Sequence, residues 1–369
     1  MRGAVRFLLP LAILGFGIGP AGALDVIAPL VSQPPGVGVL FLAIDQAVLV
    51  TVEDRREGTH LIGGGVMGPG FESGSGPYML YATESDSEIA AHLKSAAEEA
   101  VKVLGFKVGD GGLRLSLRID ELWVDMHRMS AFAPMNCIAY ATLQTTLVAP
   151  DLPAPEVRTL RLTFWEETVP VGSMKEVTRE AVSLLHSEAA WQAVTAALLA
   201  RRESQGDPGQ VRRVLERIGM VEDEEVPSRL AIFWLGITHQ TGADVKEKLL
   251  GILGQSEEYR LRRAAAEALG LLGAQEAASE LLALLNGKAP GTWDNTDAAQ
   301  AWYLLHGLAL LGRGDLRSAI PATAMKKMKA SAKTDDLILF HEGGRPPALN
   351  EKAAAKLAKA KAKLAKKRS

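Results

Sequence analysis

The N-terminal half of the chain contains several short segments in which apolar and polar residues alternate. Gln46 to Asp54 is rich in Val and Leu, and residues 113–119 (LRLSLRI) alternate strictly. Strict alternation is typical of a strand that buries one face. Two more strand-like runs, 137–149 and 157–168, are separated by a short segment with three prolines. Such a segment predicts a turn between the two strands.

Two other segments of this half show helical spacing. Apolar residues recur every three or four positions from Ser85 to Gly105, and Ser85 with Glu88 has the spacing of a capping box. Lys175 to Arg202 repeats the pattern with one broad apolar face. The glycine-rich residues 58–77 are predicted to form a long irregular loop. This order of elements predicts an α+β layer sandwich, an antiparallel sheet with two helices.

The pattern changes again in the C-terminal half, where residues 259–285 (YRLRRAAAEALGLLGAQEAASELLALL) are typical of a two-helix unit. Gly273 stands where the first helix would end in a left-handed residue. Aligning Leu235 with Leu269 gives a period of 34, and aligning Leu269 with Leu308 gives 39. Periods of this length indicate a helical repeat array with three unequal copies.

The middle unit is similar to the HEAT repeats of bacterial proteins, with the pair Arg262-Arg263 and the segment AxEALGxLG as the matching residues. This resemblance implies an all-α HEAT-like array over residues 205–325 that binds a partner protein, with Arg262 and Arg263 in the binding surface. Trp293 in the polar loop GTWDNTD is a further candidate, because large aromatic side chains often dominate binding energy. We expect the Lys175–Arg202 helix to cap the array, since three units are about the minimum for stability.

The N-terminal region resembles the YajG-type and related transport-auxiliary envelope lipoproteins. The resemblance covers roughly residues 46–200 and rests on VTVEDRR and LIGGG ahead of the first helix, and on LKSAAEEAVKVLGFKV leading into LRLSLRIDELWVD. These families have no catalytic residues to carry over. This chain lacks their lipid-modified cysteine, so the resemblance does not extend to lipid anchoring.

Residues 1–23 match a secretory signal peptide, with a basic start, an apolar run and the small-residue exit Ala21-Gly22-Ala23. The mature chain is expected to begin at Leu24, which makes residues 24–202 the α+β domain. The apolar run is too short and too broken for a membrane span of roughly 20 residues. Cys137 is the single cysteine, which excludes an internal disulfide and predicts a small buried side chain in a strand.

The C-terminal residues 326–369 hold 13 Lys or Arg against 4 Asp or Glu, although the whole chain has a formal net charge of only −2. Residues 351–368 contain little besides Ala, Lys and Leu, which predicts a disordered tail or a transient helix. A dense cationic run is attracted to anionic lipid or polysaccharide. The candidate polyanion-binding residues are Lys356, Lys359, Lys363, Lys366 and Lys367. A solubilising tail without a partner is the alternative, and export disfavours nucleic acid as a target.

Candidate chemistry is sparse. The glycine-rich segment lacks the Gly-Lys-Ser/Thr ending of a phosphate loop and the spacing of a dinucleotide fingerprint. No two of the seven histidines have the i, i+4 spacing of a helical zinc site. Asp120, Asp125 and His127 form the one cluster that could be tested as a metal or catalytic site. A solvated strand end is the favoured interpretation, so the sequence predicts no cofactor, no metal and no catalytic residue.

Together these patterns predict a non-catalytic adaptor or scaffold of the bacterial cell envelope. The protein is expected to cross the inner membrane, to remain periplasmic or envelope-associated, and to bind an envelope protein through its helical repeats. One alternative is a transport-accessory or ligand-binding envelope protein, which the lipoprotein resemblance suggests. A second is an enzyme whose site lies around Asp120, Asp125 and His127.

Overall fold

The computed structural model describes the following parts of the chain: residues 24–26, 43–56, 61–67, 78–85, 87–128, 135–168, 174–204, 232, 235–236, 242–255, 259–286, 307–308, 310–311 and 362. The strands in these parts are β1 Leu24–Val26, β2 Ala47–Asp54, β3 Leu61–Met67, β4 Tyr78–Ala82, β5 Lys107–Val108, β6 Leu113–Arg128, β7 Met135–Val148 and β8 Glu156–Thr168. The helices are α1 Glu88–Val103, α2 Met174–Ser204, α3 Ala243–Gln255, α4 Tyr259–Leu271 and α5 Ala277–Asn286.

The eight strands form one mixed sheet around the long strand β6. On one side β6 pairs antiparallel with β7, which pairs antiparallel with β8. On the other side it pairs parallel with β2 along its first half and with β3 along its second half. The prediction of an antiparallel sheet was therefore wrong for this side. Parallel pairing requires a long crossover connection, and the segment between β2 and β6, which includes α1, provides one.

A β-bulge lies between Ile119 and Glu121 of β6, where the neighbouring strand changes from β2 to β3. The bulge shifts by one residue the alternation of buried and exposed side chains along β6. The buried positions are odd-numbered as far as Ile119 and even-numbered from Leu122. Arg56 fills the resulting break in the sheet. Its guanidinium donates to the Leu61 carbonyl at 3.1 Å and to the Leu122 carbonyl at 2.8 Å, and it pairs with the buried Asp54.

Glycine allows β3 to approach β6 closely. A Cβ atom on Gly63 would lie 2.2 Å from the Val124 carbonyl oxygen, and one on Gly65 would lie 1.6 Å from the Met126 carbonyl oxygen. Such contacts exclude any side chain at these two positions. The prediction of an irregular loop over residues 58–77 was wrong for this strand, and residues 68–77 lie outside the described residues.

Helices α1 and α2 pack against each other and against the sheet, α1 at β2 and α2 at β7 and β8. The predicted capping box did not form. The N-cap is Ser87, which makes no side-chain capping bond, and the Glu88 carboxylate accepts the Glu84 backbone N–H at 3.1 Å. At the other end, Gly105 follows the helix with a φ of 84°, a left-handed value that favours glycine. This is the residue at which the helical spacing was predicted to end.

Every residue of α2 from Leu185 to Thr195 is buried. A helix buried all round must have neighbours on all sides. The sheet and α1 supply two of them, and α4 supplies a third through Arg263. The buried apolar residues of the sheet, α2 and α3 to α5 accordingly form one continuous core.

Two predicted segments lie outside the described residues, namely the signal peptide and nearly all of the C-terminal tail. The predicted mature start, Leu24, is the first residue of β1, which pairs in parallel with β4. No helix in the described ranges is long and apolar enough to cross a membrane.

Candidate functional site

Three helical segments contact one another beside the leucines that the sequence period aligns, Leu235, Leu269 and Leu308. A Cβ atom on Gly236 would lie 2.7 Å from the Cα atom of Ala268 in α4. A Cβ atom on Gly270, also in α4, would lie 2.6 Å from the Cβ atom of Leu310. A Cβ atom on Gly307 would lie 3.0 Å from the carbonyl oxygen of Ala266 in α4. Since these segments belong to the first, second and third predicted units, successive units contact each other through small residues on their first helices.

The middle unit has the predicted local structure. Residues 259–286 form α4 and α5, and Gly273 between them has a φ of 64°, the left-handed value expected after a helix. The α4 residues from Ala264 to Gly270 are all buried, and so is Leu281 in α5. Helix α4 is therefore an internal helix of the protein.

A buried ion cluster joins α4 to α2. The Arg263 guanidinium is fully buried, with Nη2 at 3.3 Å from Oε1 of Glu188 in α2 and Nε at 3.6 Å from Oε1 of Glu267 one turn along α4. This corrects the assignment of Arg263 to an exposed protein-binding surface, because its side chain contacts this chain's own core. Its neighbour Arg262 is half-buried and remains a candidate for that surface.

The second helices of the units carry the exposed polar residues of the stack. They are Asp244, Glu247 and Lys248 on α3, and Ser279 and Glu280 on α5. An ion pair between Lys246 of α3 and Glu276, just before α5, links the two helices at the surface. This surface, formed by the exposed residues of α3 and α5, is named the α3–α5 face below. Trp293, the other predicted contact residue, lies outside the described residues.

A second buried polar cluster lies between α1 and α2. His92 of α1 donates from Nε2 to the Ser183 carbonyl at 3.1 Å, and the Ser187 hydroxyl lies 3.3 Å from the same nitrogen. The ring of His186 lies 6.1 Å from that of His92, centroid to centroid. Burial lowers the pKa of His92 to about 4, although the hydrogen bond to Ser183 opposes the shift. The pKa of His186 lies well below its ordinary value. Burial is the largest cause, followed by the electrostatic effects of His92 and Arg56.

The residues of the alternative catalytic or metal site do not form a cluster that the structure describes. Asp120 is half-exposed and accepts both arms of the Arg118 guanidinium, at 2.7 and 2.9 Å. Asp125 and His127 lie in β6 opposite Gly64 and Val66 of β3, and their side chains lie outside the described ones. Among the described side chains no three His, Cys, Asp or Glu residues are grouped as metal ligands.

The remaining predicted residues have separate outcomes. Cys137 is buried in β7, as predicted for a small apolar side chain. The five tail lysines, Lys356, Lys359, Lys363, Lys366 and Lys367, lie outside the described residues. Of the tail, only Ala362 is described, as an exposed helical residue.

Sequence reasoning missed the two buried polar clusters. Arg263 and Glu267 have the i, i+4 spacing of an ion pair, are separated by three alanines and are followed by Ala268 and Leu269. A charged pair in such an apolar segment could have indicated burial. His92 and His186 stand within otherwise apolar helical faces, which is the corresponding signal for them. Their proximity depends on how α1 packs on α2, and no local pattern specifies that contact.

No family model matches the chain, and no curated protein matches it. A solved structure from Xanthomonas campestris, described under the family DUF330, is similar at 12% identity with a TM-score of 0.32, covering 50% of this chain and 100% of its own. A minor lipoprotein from Acinetobacter baumannii is similar at 8% identity with a TM-score of 0.24, and the match covers 42% of this chain and 94% of the lipoprotein. An uncharacterized protein is similar at 11% identity with a TM-score of 0.25, and the match covers 45% of this chain and 97% of that protein. Because these TM-scores are low, the proposals below rest on this chain's own residues.

Proposed function

We propose that this protein is a non-catalytic adaptor of the bacterial cell envelope and that it binds a partner protein through a short HEAT-like array built on α2. The observation that carries the proposal is the contact of three helical segments at Gly236, Gly270 and Gly307, each of which is adjacent to one of the leucines that the sequence period aligns, Leu235, Leu269 and Leu308. Stacked helix pairs of this kind present an extended surface to a partner and do not enclose a pocket.

The array is anchored to the sheet domain through its middle unit. Helix α4, the first helix of that unit, contacts α2 through the buried Arg263–Glu188 pair. The sheet domain therefore covers one side of the array, whereas a free-standing array relies on terminal caps with a polar outer face. The partner surface is the α3–α5 face, extended by Arg262 and by the segment that carries Trp293.

Charge reversal on the α3–α5 face tests the proposal. Glu247 and Glu280 are exposed, so the double variant Glu247→Arg with Glu280→Arg leaves the core unchanged and alters only the proposed surface. Glu53→Arg on the exposed face of β2 is the matched control. Deletion of residues 205–325 is a poorer test, because it would remove the covering of α2.

Affinity capture from an envelope fraction is the readout, with each captured protein compared between the three chains. We expect the double variant to lose at least one specific partner that wild type and the Glu53→Arg control both retain. An identical partner list for all three chains would refute the adaptor role of this face.

The cationic tail supports an additional contact. We propose that Lys356, Lys359, Lys363, Lys366 and Lys367 attract the full-length protein to anionic lipid or polysaccharide. Each basic residue near an anionic surface contributes roughly 1 kcal/mol, an attraction that salt screens.

A further inference from the structure

The α1–α2 interface contains two imidazoles in a setting that suits only their neutral form. His92 is 4% exposed and His186 is 0% exposed. Nδ1 of His92 and both ring nitrogens of His186 have no hydrogen-bond partner. A buried polar atom without a partner destabilises the folded state, and a buried unpaired charge does so much more strongly.

The charged groups around this pair would oppose a proton on either ring. Arg56, which lies at the end of β2, is the cation whose field reaches His186. Two buried carboxylates of the packed elements are engaged by arginines, since Asp54 pairs with Arg56 and Glu188 pairs with Arg263 of α4. The other titratable groups of α1, among them Lys94 and Glu98, pair at the surface.

Protonation would therefore place a cation in an apolar interface beside a second histidine and an arginine. The interface can relieve that charge only by admitting water, and this requires α1 and α2 to separate. We propose that the His92–His186 pair makes the α1–α2 interface an acid-sensitive switch, in which protonation of either ring releases α2 from α1. The consequence extends to the array, because Glu188, which anchors α4, follows His186 on α2 by two residues.

The direction of the effect follows from proton linkage. The pKa of His92 is about 4 in the folded protein against 6.5 for the free side chain. As the pH falls below 6.5 the unfolded state takes up the proton first, so the free energy of unfolding decreases until the pH reaches the folded value. For His92 alone the unfolding equilibrium constant rises about tenfold from pH 7.5 to 5.5 and about 140-fold by pH 4. His186, whose pKa is also lowered, adds to this in the same direction.

Urea unfolding of the full chain at pH 7.5 and 5.5 tests the linkage, for wild type, His92→Gln, His186→Phe and the surface control Lys94→Gln. Gln can still donate to the Ser183 carbonyl, and Phe retains the shape of a ring whose nitrogens make no bond. We expect each histidine variant to reduce the pH dependence of the unfolding constant by about tenfold, with Lys94→Gln unchanged. Equal pH dependence in all four chains overturns the proposal.

Hydrogen exchange of wild type separates a switch from a uniform loss of stability, and it needs no variant to fold. After correction for intrinsic exchange, we expect α1 and α2 amides to lose protection at pH 5.5 while the β6–β7 amides keep theirs. Uniform loss, or no loss in α1 and α2, would contradict the release of α2.

Discussion

The junction of α2 with α4 offers the sharpest test of how the two halves of the protein are joined. Replacing Arg263 by Met removes a fully buried cation and leaves Glu188 and Glu267, each with a side chain about 5% exposed, facing each other. Removing one partner of a buried pair typically costs about 3–5 kcal/mol, because the remaining charge stays buried without compensation. Such a loss is a large fraction of a total stability of about 5–15 kcal/mol.

The assay is urea unfolding at pH 7.5, followed by circular dichroism and by tryptophan fluorescence. We expect Arg263→Met to lower the free energy of unfolding by about 3–5 kcal/mol. The surface pair Lys246–Glu276 is the matched control, since it also links two helices but its carboxylate is half-exposed. Lys246→Met should cost less than about 1 kcal/mol, because solvent and salt screen an exposed pair.

Replacing all three charges removes the penalty. The triple variant Arg263→Met, Glu188→Leu, Glu267→Leu leaves no buried charge, and apolar replacement of a buried ion cluster is often neutral or stabilising by about 1–4 kcal/mol. We expect it to recover most of the loss. If Arg263→Met costs no more than Lys246→Met, the buried cluster does not hold α4 against α2 and the anchored array is wrong.

Four further outcomes are expected. Gly65→Val should lower stability by about 2 kcal/mol or more in urea titration, because a Cβ there would overlap the Met126 carbonyl; wild-type stability would contradict the close approach of β3 to β6. Gly270→Val should cost about 1–3 kcal/mol by crowding the helix at Leu310, and no change would argue against stacked units. A chain stopped at Gly344 should co-sediment less than wild type with anionic vesicles at low salt. Unchanged co-sedimentation would show that the tail does not bind anionic lipid. Asp125→Ala with His127→Ala should leave a zinc titration unchanged, and lost binding would revive the metal site.

Sequence patterns were sufficient where one local rule decides the structure. Strict alternation located the first part of β6, and helical spacing located α1 and α2 to within a few residues. Gly273 indicated the end of α4 because a left-handed residue favours glycine wherever it occurs. None of these inferences required knowledge of a distant neighbour.

The errors arose where the structure of a segment depends on contacts with residues far away in the sequence. The glycines of β3 resemble a loop until the carbonyls of β6 are placed against them. The sheet was expected to be antiparallel because the pattern of a strand does not reveal the direction of its partner. Arg263 was assigned to the binding surface from the HEAT-repeat resemblance, and its buried partner Glu188 lies 75 positions earlier in the chain. For the candidate site, the sequence predicted a helical pair over residues 259–285 and a contact with the Lys175–Arg202 helix, but not the buried ion pair through which α4 meets α2.

The burial of α2 on every side also determines the order in which the protein can mature. A chain synthesised from its N-terminus completes β1 to β8 and α2 before α3, α4 and α5 exist. During that interval the outer side of α2 is an apolar surface that carries the unneutralised carboxylate of Glu188. Nascent chains interrupted between residues 204 and 259 should therefore be the aggregation-prone species of this protein, and the ones that a holding chaperone would recognise.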